Sequence, residues 1–164
     1  KAPADSCFAP HNSTRSSAST ISAAPTVVKT LGNPDCHVVL RGSSHGPNYD
    51  AASVAKAMDT IRAEMPADSA AAHGLIVDCS HGNSGKDEHR QAQVVRDIAG
   101  RIAKGEQGIT GIMMESFIEG GNQKAAPIDQ LVYGKSITDK CLSWNTTEQL
   151  LRELAHAVAA RRWK

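Results

Sequence analysis

No apolar run in this 164-residue chain approaches the roughly 20 residues that a membrane-spanning helix needs. No basic segment followed by an apolar one opens it, so it carries no sign of secretion. The first residue is Lys1 rather than Met, as expected of a fragment or a processed start. Charge of one sign is also missing. Lys and Arg number 18, Asp and Glu 17, and the formal net charge is +1. That balance lacks the electrostatic footprint of a nucleic-acid binder. No G-x-G-x-x-G and no G-x-x-x-x-G-K-[ST] occurs, which removes dinucleotide and P-loop readings. None of the four cysteines, Cys7, Cys36, Cys79 and Cys141, forms a C-x-x-C pair. That argues against a zinc knuckle or thioredoxin-type motif and leaves reduced thiols in a cytoplasmic protein as the expectation. Cys36, Cys79 and Cys141 lie in or beside apolar runs and read as buried small hydrophobes.

What is present is regular from Thr26 onward. Residues 1–25 are rich in Ser, Ala, Thr and Pro and show neither period-2 nor period-3.6 hydrophobicity, so they read as loop or disorder. Beyond them, HVVL at 37–40, LIVDC at 75–79 and ITGIMM at 109–114 are short, nearly continuous apolar runs, as in strands covered on both faces. Three amphipathic segments alternate with them. The first carries Val54, Met58, Ile61 and Met65; the second Gln91, Val94, Val95, Ile98 and Ile102; the third Leu150, Leu151, Leu154 and Val158. Each set falls on one helical face. Thr146 with Gln149 fits a capping box opening the third. Alternating βα units imply a parallel sheet with helices outside. Three units cannot close a barrel. They fit the last part of a (β/α)8 barrel, which takes about 250 residues, or a small open sheet.

Each strand run is followed by a chemically capable residue: Arg41 after the first, His81 after the second, Glu115 after the third. Ligands of parallel α/β folds bind at the carboxyl ends of strands, so these residues are expected in one site. Asp139, in the connection from the third strand to the third helix, belongs to the same face. His, Glu and Asp together make a divalent-metal site of borderline hardness. Arg41 offers a fixed fork for phosphate or carboxylate. Asp78 is placed to orient a neighbour. Ser80-His81 does not read as nucleophile and base, because no G-x-S-x-G elbow is present. His45, His73 and His89 read as exposed.

The segments NPDCHVVLRG (33–42), PNY (47–49), IVDCSHGNSGK (76–86), GIMMES (111–116), EGGNQ (119–123), LVYGKSITDKCLSW (131–144) and LLRELAHAVAARR (150–162) closely resemble the C-terminal half of class I DAHP synthase (3-deoxy-7-phosphoheptulonate synthase). The resemblance covers about residues 27–164. It implies an α/β fold comprising the last three βα units of a (β/α)8 barrel, incomplete in this chain. The implied reaction is the first of the shikimate pathway to aromatic amino acids: phosphoenolpyruvate condenses with erythrose 4-phosphate, giving DAHP and phosphate. The implied cofactor is a divalent metal ion, Mn, Fe, Co or Zn, held in the family by Cys, His, Glu and Asp. His81, Glu115 and Asp139 match three of these ligands, and none of the four cysteines matches the fourth. Arg41 matches a residue that binds the phosphoenolpyruvate phosphate, and Asp139 is given a second role at a substrate hydroxyl. His81 and Asp139 are the expected catalytic residues. A homo-oligomer is implied for the full-length family.

Residues 1–25 are expected to fall outside the resemblance, abutting a close match at VKTLG (28–32), as after a frameshift or an erroneous gene start. With part of the barrel absent, the chain is expected to expose an unpaired strand edge and to be inactive by itself. Two other readings stand beside the leading one. One is the sister enzyme 3-deoxy-D-manno-octulosonate 8-phosphate synthase, against which YGKSITDKCLSW argues. The other is an inactive half-barrel serving as an interaction module or a pseudogene product.

Overall fold

The computed structural model describes residues 15–19, 25–29, 31–33 and 35–163. Its elements are β1 (Arg15–Ser19), β2 (Pro25–Lys29), β3 (Val39–Leu40), α1 (Ala51–Glu64), α2 (Ala70–His73), β4 (Leu75–Asp78), α3 (His81–Ser84), α4 (Glu88–Ala103), β5 (Ile109–Met113), a 3-10 turn (Ile128–Gln130) and α5 (Trp144–Arg162). β3, β4 and β5 form a parallel sheet in that order. Helices pack on it, and their buried apolar side chains join those of the strands in one core; β5 departs from the expected coverage on both faces, leaving Thr110 and Met113 exposed.

Burial explains the pattern. In β4, Leu75 and Val77 have no exposed surface. α1 buries Val54, Met58 and Ile61, and α4 buries Val94, Val95, Ile98 and Ile102. Each such side chain contributes about 1.5–3 kcal/mol when withdrawn fully from water. Asp50 starts α1 by accepting from the Ser53 amide at 3.0 Å. Asp87 starts α4 by accepting from His89 and Arg90 amides at 2.8 and 3.0 Å. These caps satisfy donors that a helix N-terminus otherwise leaves unmet. α5 lies against α4, where Arg96 Nε meets Glu153 Oε2 at 3.1 Å. Among the described residues no helix is long and apolar enough to cross a membrane.

The structure departs from expectation in several places. β3 spans only Val39–Leu40 instead of 37–40. Its register sets Val39 opposite Ile76, so Val38 faces the first residue of β4 and His37 has no strand residue to pair with. α5 is capped by Ser143, which accepts from the Thr146 amide at 3.3 Å. Thr146 is therefore inside the helix, not its cap. Within the segment expected to be loop, residues 15–19 form a strand paired antiparallel with Pro25–Lys29. Ser and Ala carry no alternation signal, and cross-strand backbone pairing supplies the structure instead. The rest of residues 1–24 lies outside the described set. Cys79 is fully buried as expected, but Cys36 and Cys141 are only half-buried. His45, His73 and His89 are exposed.

Candidate metal centre

Parallel strands end on the same side, so the residues that follow β3, β4 and β5 are delivered to one rim. The β3 and β4 ends are stitched together by Asn83, which is 4% exposed. Its Nδ2 donates to the carbonyls of Leu40 (3.0 Å) and Asp78 (2.8 Å), and its Oδ1 accepts from the Asn48 amide at 2.8 Å. The two backbones touch at paired glycines. A Cβ on Gly42, whose φ is +71°, would lie 2.5 Å from the Gly82 carbonyl carbon. Only glycine allows both that backbone conformation and that approach.

The chain leaves β4 through Cys79 and Ser80 into the single-turn α3. His81 opens this turn with φ +35°, a region that side chains other than glycine's seldom adopt. This places the imidazole over the sheet rim. Asp78, 2% exposed, accepts from the Ser80 amide at 2.8 Å through Oδ1 and meets His81 Nδ1 at 2.7 Å through Oδ2. A neutral imidazole that donates from Nδ1 to this carboxylate turns its Nε2 lone pair outward. Nε2 lies 3.4 Å from Glu115 Oε1 and 4.0 Å from Asp139 Oδ2.

Asp139 arrives by a longer route, and its connection is pinned at several points. Ser116 bridges Leu142, Gly121 bridges Cys141, and Asn122 bridges Ser136. Gln123 donates to the carbonyls of Val132 and Lys135, each at 2.9 Å, and Asn122 donates to the Thr138 carbonyl at 2.8 Å. Lys86 Nζ stands 3.7 Å from Asp139 Oδ1.

One ligand atom from each of His81, Glu115 and Asp139 lies within 4.8 Å of the others. Two donors that share an ion at about 2.0–2.2 Å stand no more than about 4.4 Å apart, and His81 Nε2 meets that limit to both carboxylates. Glu115 Oε2 is buried and has no hydrogen-bond partner among the described residues. Three acceptors facing one another, one orphaned oxygen and a mixed imidazole–carboxylate donor set all fit a divalent cation.

The sequence-predicted residues thus divide. His81, Glu115 and Asp139 come together. Arg41 reaches the same rim through its backbone, its carbonyl accepting from the Gly82 amide at 3.0 Å. Its side chain is exposed and makes no ion pair among the described residues. Cys79 is not part of the cluster. Burial, with the Asp78 charge beside it, pushes its thiol up to about 12, so it remains protonated at neutral pH. Burial likewise raises the Cys141 thiol. Sequence reasoning missed Asn83, Lys86 and the part played by Gln91. An amide on an otherwise apolar helix face was the signal for the last.

Comparison with known proteins adds to this geometry. The family model described as the DAHP synthetase I family matches residues 4–152. The match begins inside the segment that was expected to lie outside the resemblance. A phospho-2-dehydro-3-deoxyheptonate aldolase of Corynebacterium glutamicum is 46% identical over 143 residues, covering 83% of this chain and 37% of its own length. The Phe-sensitive enzyme of that name from Escherichia coli K12 is 44% identical over 137 residues, with 83% and 37% covered. A solved phospho-2-dehydro-3-deoxyheptonate aldolase structure from Francisella tularensis superposes with TM-score 0.83 at 34% identity, covering 96% of this chain and 44% of that one. The chain therefore spans little more than a third of the length of these two curated relatives.

Proposed function

The chain belongs to the DAHP synthetase I family, and on that footing we propose that it forms the metal-bearing part of a 3-deoxy-7-phosphoheptulonate synthase. In this reading its three βα units are the last of a (β/α)8 barrel. The reaction joins phosphoenolpyruvate, erythrose 4-phosphate and water into DAHP and inorganic phosphate. The observation that carries the proposal is the meeting of His81, Glu115 and Asp139 at the carboxyl end of the parallel sheet.

His81 Nε2, Glu115 and Asp139 would hold Mn, Fe, Co or Zn. When bound, the ion supplies Lewis acidity for polarising the sugar aldehyde. Asp78 holds the His81 ring so that Nε2 serves as donor atom. Arg41 offers its exposed guanidinium to the phosphate of phosphoenolpyruvate, a pairing suited to its planar fork. Asp139, whose side chain is 45% exposed, can contact a substrate hydroxyl while it serves as ligand. The two substrates both carry phosphate, and clamps of opposite charge must hold them in reactive geometry. A cytoplasmic setting and homo-oligomer assembly belong to the same reading.

The test is reconstitution. The 164-residue chain is mixed with the part of the Corynebacterium glutamicum relative that precedes its matching region, in the presence of Mn2+. Loss of phosphoenolpyruvate and release of phosphate are followed with and without erythrose 4-phosphate. The proposal expects turnover that needs both substrates and disappears with His81→Ala. It is contradicted if the mixture is silent while the relative's own C-terminal part restores activity under the same conditions.

A further inference from the structure

We propose that Gln91 is a positioning residue for Glu115: its buried amide fixes the backbone from which the Glu115 carboxylate is aimed. The inference rests on the reading of Glu115 as a metal ligand.

Gln91 lies on the inward face of α4 and is 1% exposed. Its Oε1 accepts from the Glu115 amide at 2.6 Å, and its Nε2 donates to the Glu115 carbonyl at 3.4 Å. The side chain therefore brackets one residue from both sides. Among the described residues it has no other hydrogen-bond partner. A buried primary amide is costly wherever its polar groups go unmet, and an apolar side chain of similar size would fill the same space without that demand. What the amide adds is a fixed address for Glu115.

Glu115 needs one. β5 ends at Met113, so the Glu115 amide lies beyond the strand. Its carbonyl also accepts from the Leu142 amide at 2.9 Å. The carboxylate has little of its own to hold it. Oε2 has no partner among the described residues, and Oε1 faces His81 Nε2 at 3.4 Å. Its aim is thus inherited from the backbone, and Gln91 is the side chain that holds that backbone. α4 carries this restraint from the sheet's outer layer to the rim, as groups behind a ligand commonly do at metal sites.

The test uses the full 164-residue chain and Mn2+ alone. Bound and free Mn2+ are separated by the electron paramagnetic resonance of the free ion. Gln91→Met removes both hydrogen bonds at similar volume. Val95→Ala, buried in the same helix, weakens the core while leaving both Gln91–Glu115 hydrogen bonds in place and serves as control. The expectation is Mn2+ affinity at least about tenfold weaker for Gln91→Met. Val95→Ala should bind as the natural chain does, even where its melting temperature falls as far. Should Gln91→Met fail to fold, Gln91→Asn, whose shorter arm cannot span to Glu115, carries the same comparison. Equal affinity in the Gln91 variants and the natural chain overturns the inference, as does a loss no greater than that of Val95→Ala. If the natural chain itself takes up no Mn2+, the metal reading fails first, and this role falls with it.

Discussion

Asp78 Oδ2 stands 2.7 Å from His81 Nδ1, with the same carboxylate anchored through Oδ1 to the Ser80 amide at 2.8 Å. The contact decides which imidazole nitrogen faces Glu115 and Asp139. The carboxylate can only accept, so it selects the ring form that donates from Nδ1 and leaves Nε2 as a lone-pair donor.

Asp78→Asn reverses that choice. An amide can present its NH2 group to Nδ1, which puts the ring proton on Nε2, toward the two carboxylates. The expected outcome is Mn2+ affinity weaker by about 10–100-fold, with the circular dichroism of the folded chain retained. A calorimetric Mn2+ titration checks it, and an unchanged affinity would remove the orienting role from Asp78.

Gly42→Ala tests the close approach beneath the site. A φ of +71° costs a non-glycine residue about 1–2 kcal/mol, and the added Cβ would lie 2.5 and 2.9 Å from the Gly82 carbonyl carbon and Cα and 2.6 Å from the Asn83 amide nitrogen. Stability should therefore fall by more than the conformational cost alone. Urea unfolding measures it. A variant as stable as the natural chain would mean that the rim does not depend on this contact.

Asp50 gives a prediction in pH. Its carboxyl is held below the ordinary 3.8 chiefly by the hydrogen bond from the Ser53 side chain, then by the Ser53 amide. A group with a depressed folded pKa adds stability above its unfolded value and loses it as pH falls through the folded one. The stability advantage over Asp50→Asn, which keeps an oxygen acceptor but does not titrate, should be present at pH 7. It should shrink below about pH 4 and vanish at lower pH. A gap that does not change between pH 7 and pH 2 would assign the cap no titrating contribution.

Much of this was legible in the sequence for physical reasons. The run at 75–79 reads as a strand because it is nearly continuously apolar, and its first four residues, Leu75–Asp78, form the central strand of the parallel sheet. Val54, Met58 and Ile61 fall on one face and are buried there. His81, Glu115 and Asp139 could be gathered from far apart because parallel topology sends strand ends to one rim. Three features were hidden. Asn83 takes its meaning from Leu40, 43 residues away, which no local pattern encodes. Ser143 and Thr146 are both good caps by composition, and only the path of the preceding connection selects Ser143. Arg15–Ser19 has no hydrophobic alternation, so its strand depends on a partner it does not itself predict.

The most direct test of the metal centre is pulsed electron paramagnetic resonance of Mn2+ bound to the 15N-labelled chain. Coupling to an imidazole nitrogen is expected in the natural chain and in His45→Ala, His73→Ala and His89→Ala. It should be lost in His81→Ala. Bound Mn2+ with no nitrogen coupling, or coupling that survives His81→Ala, would contradict a cation held by His81, Glu115 and Asp139.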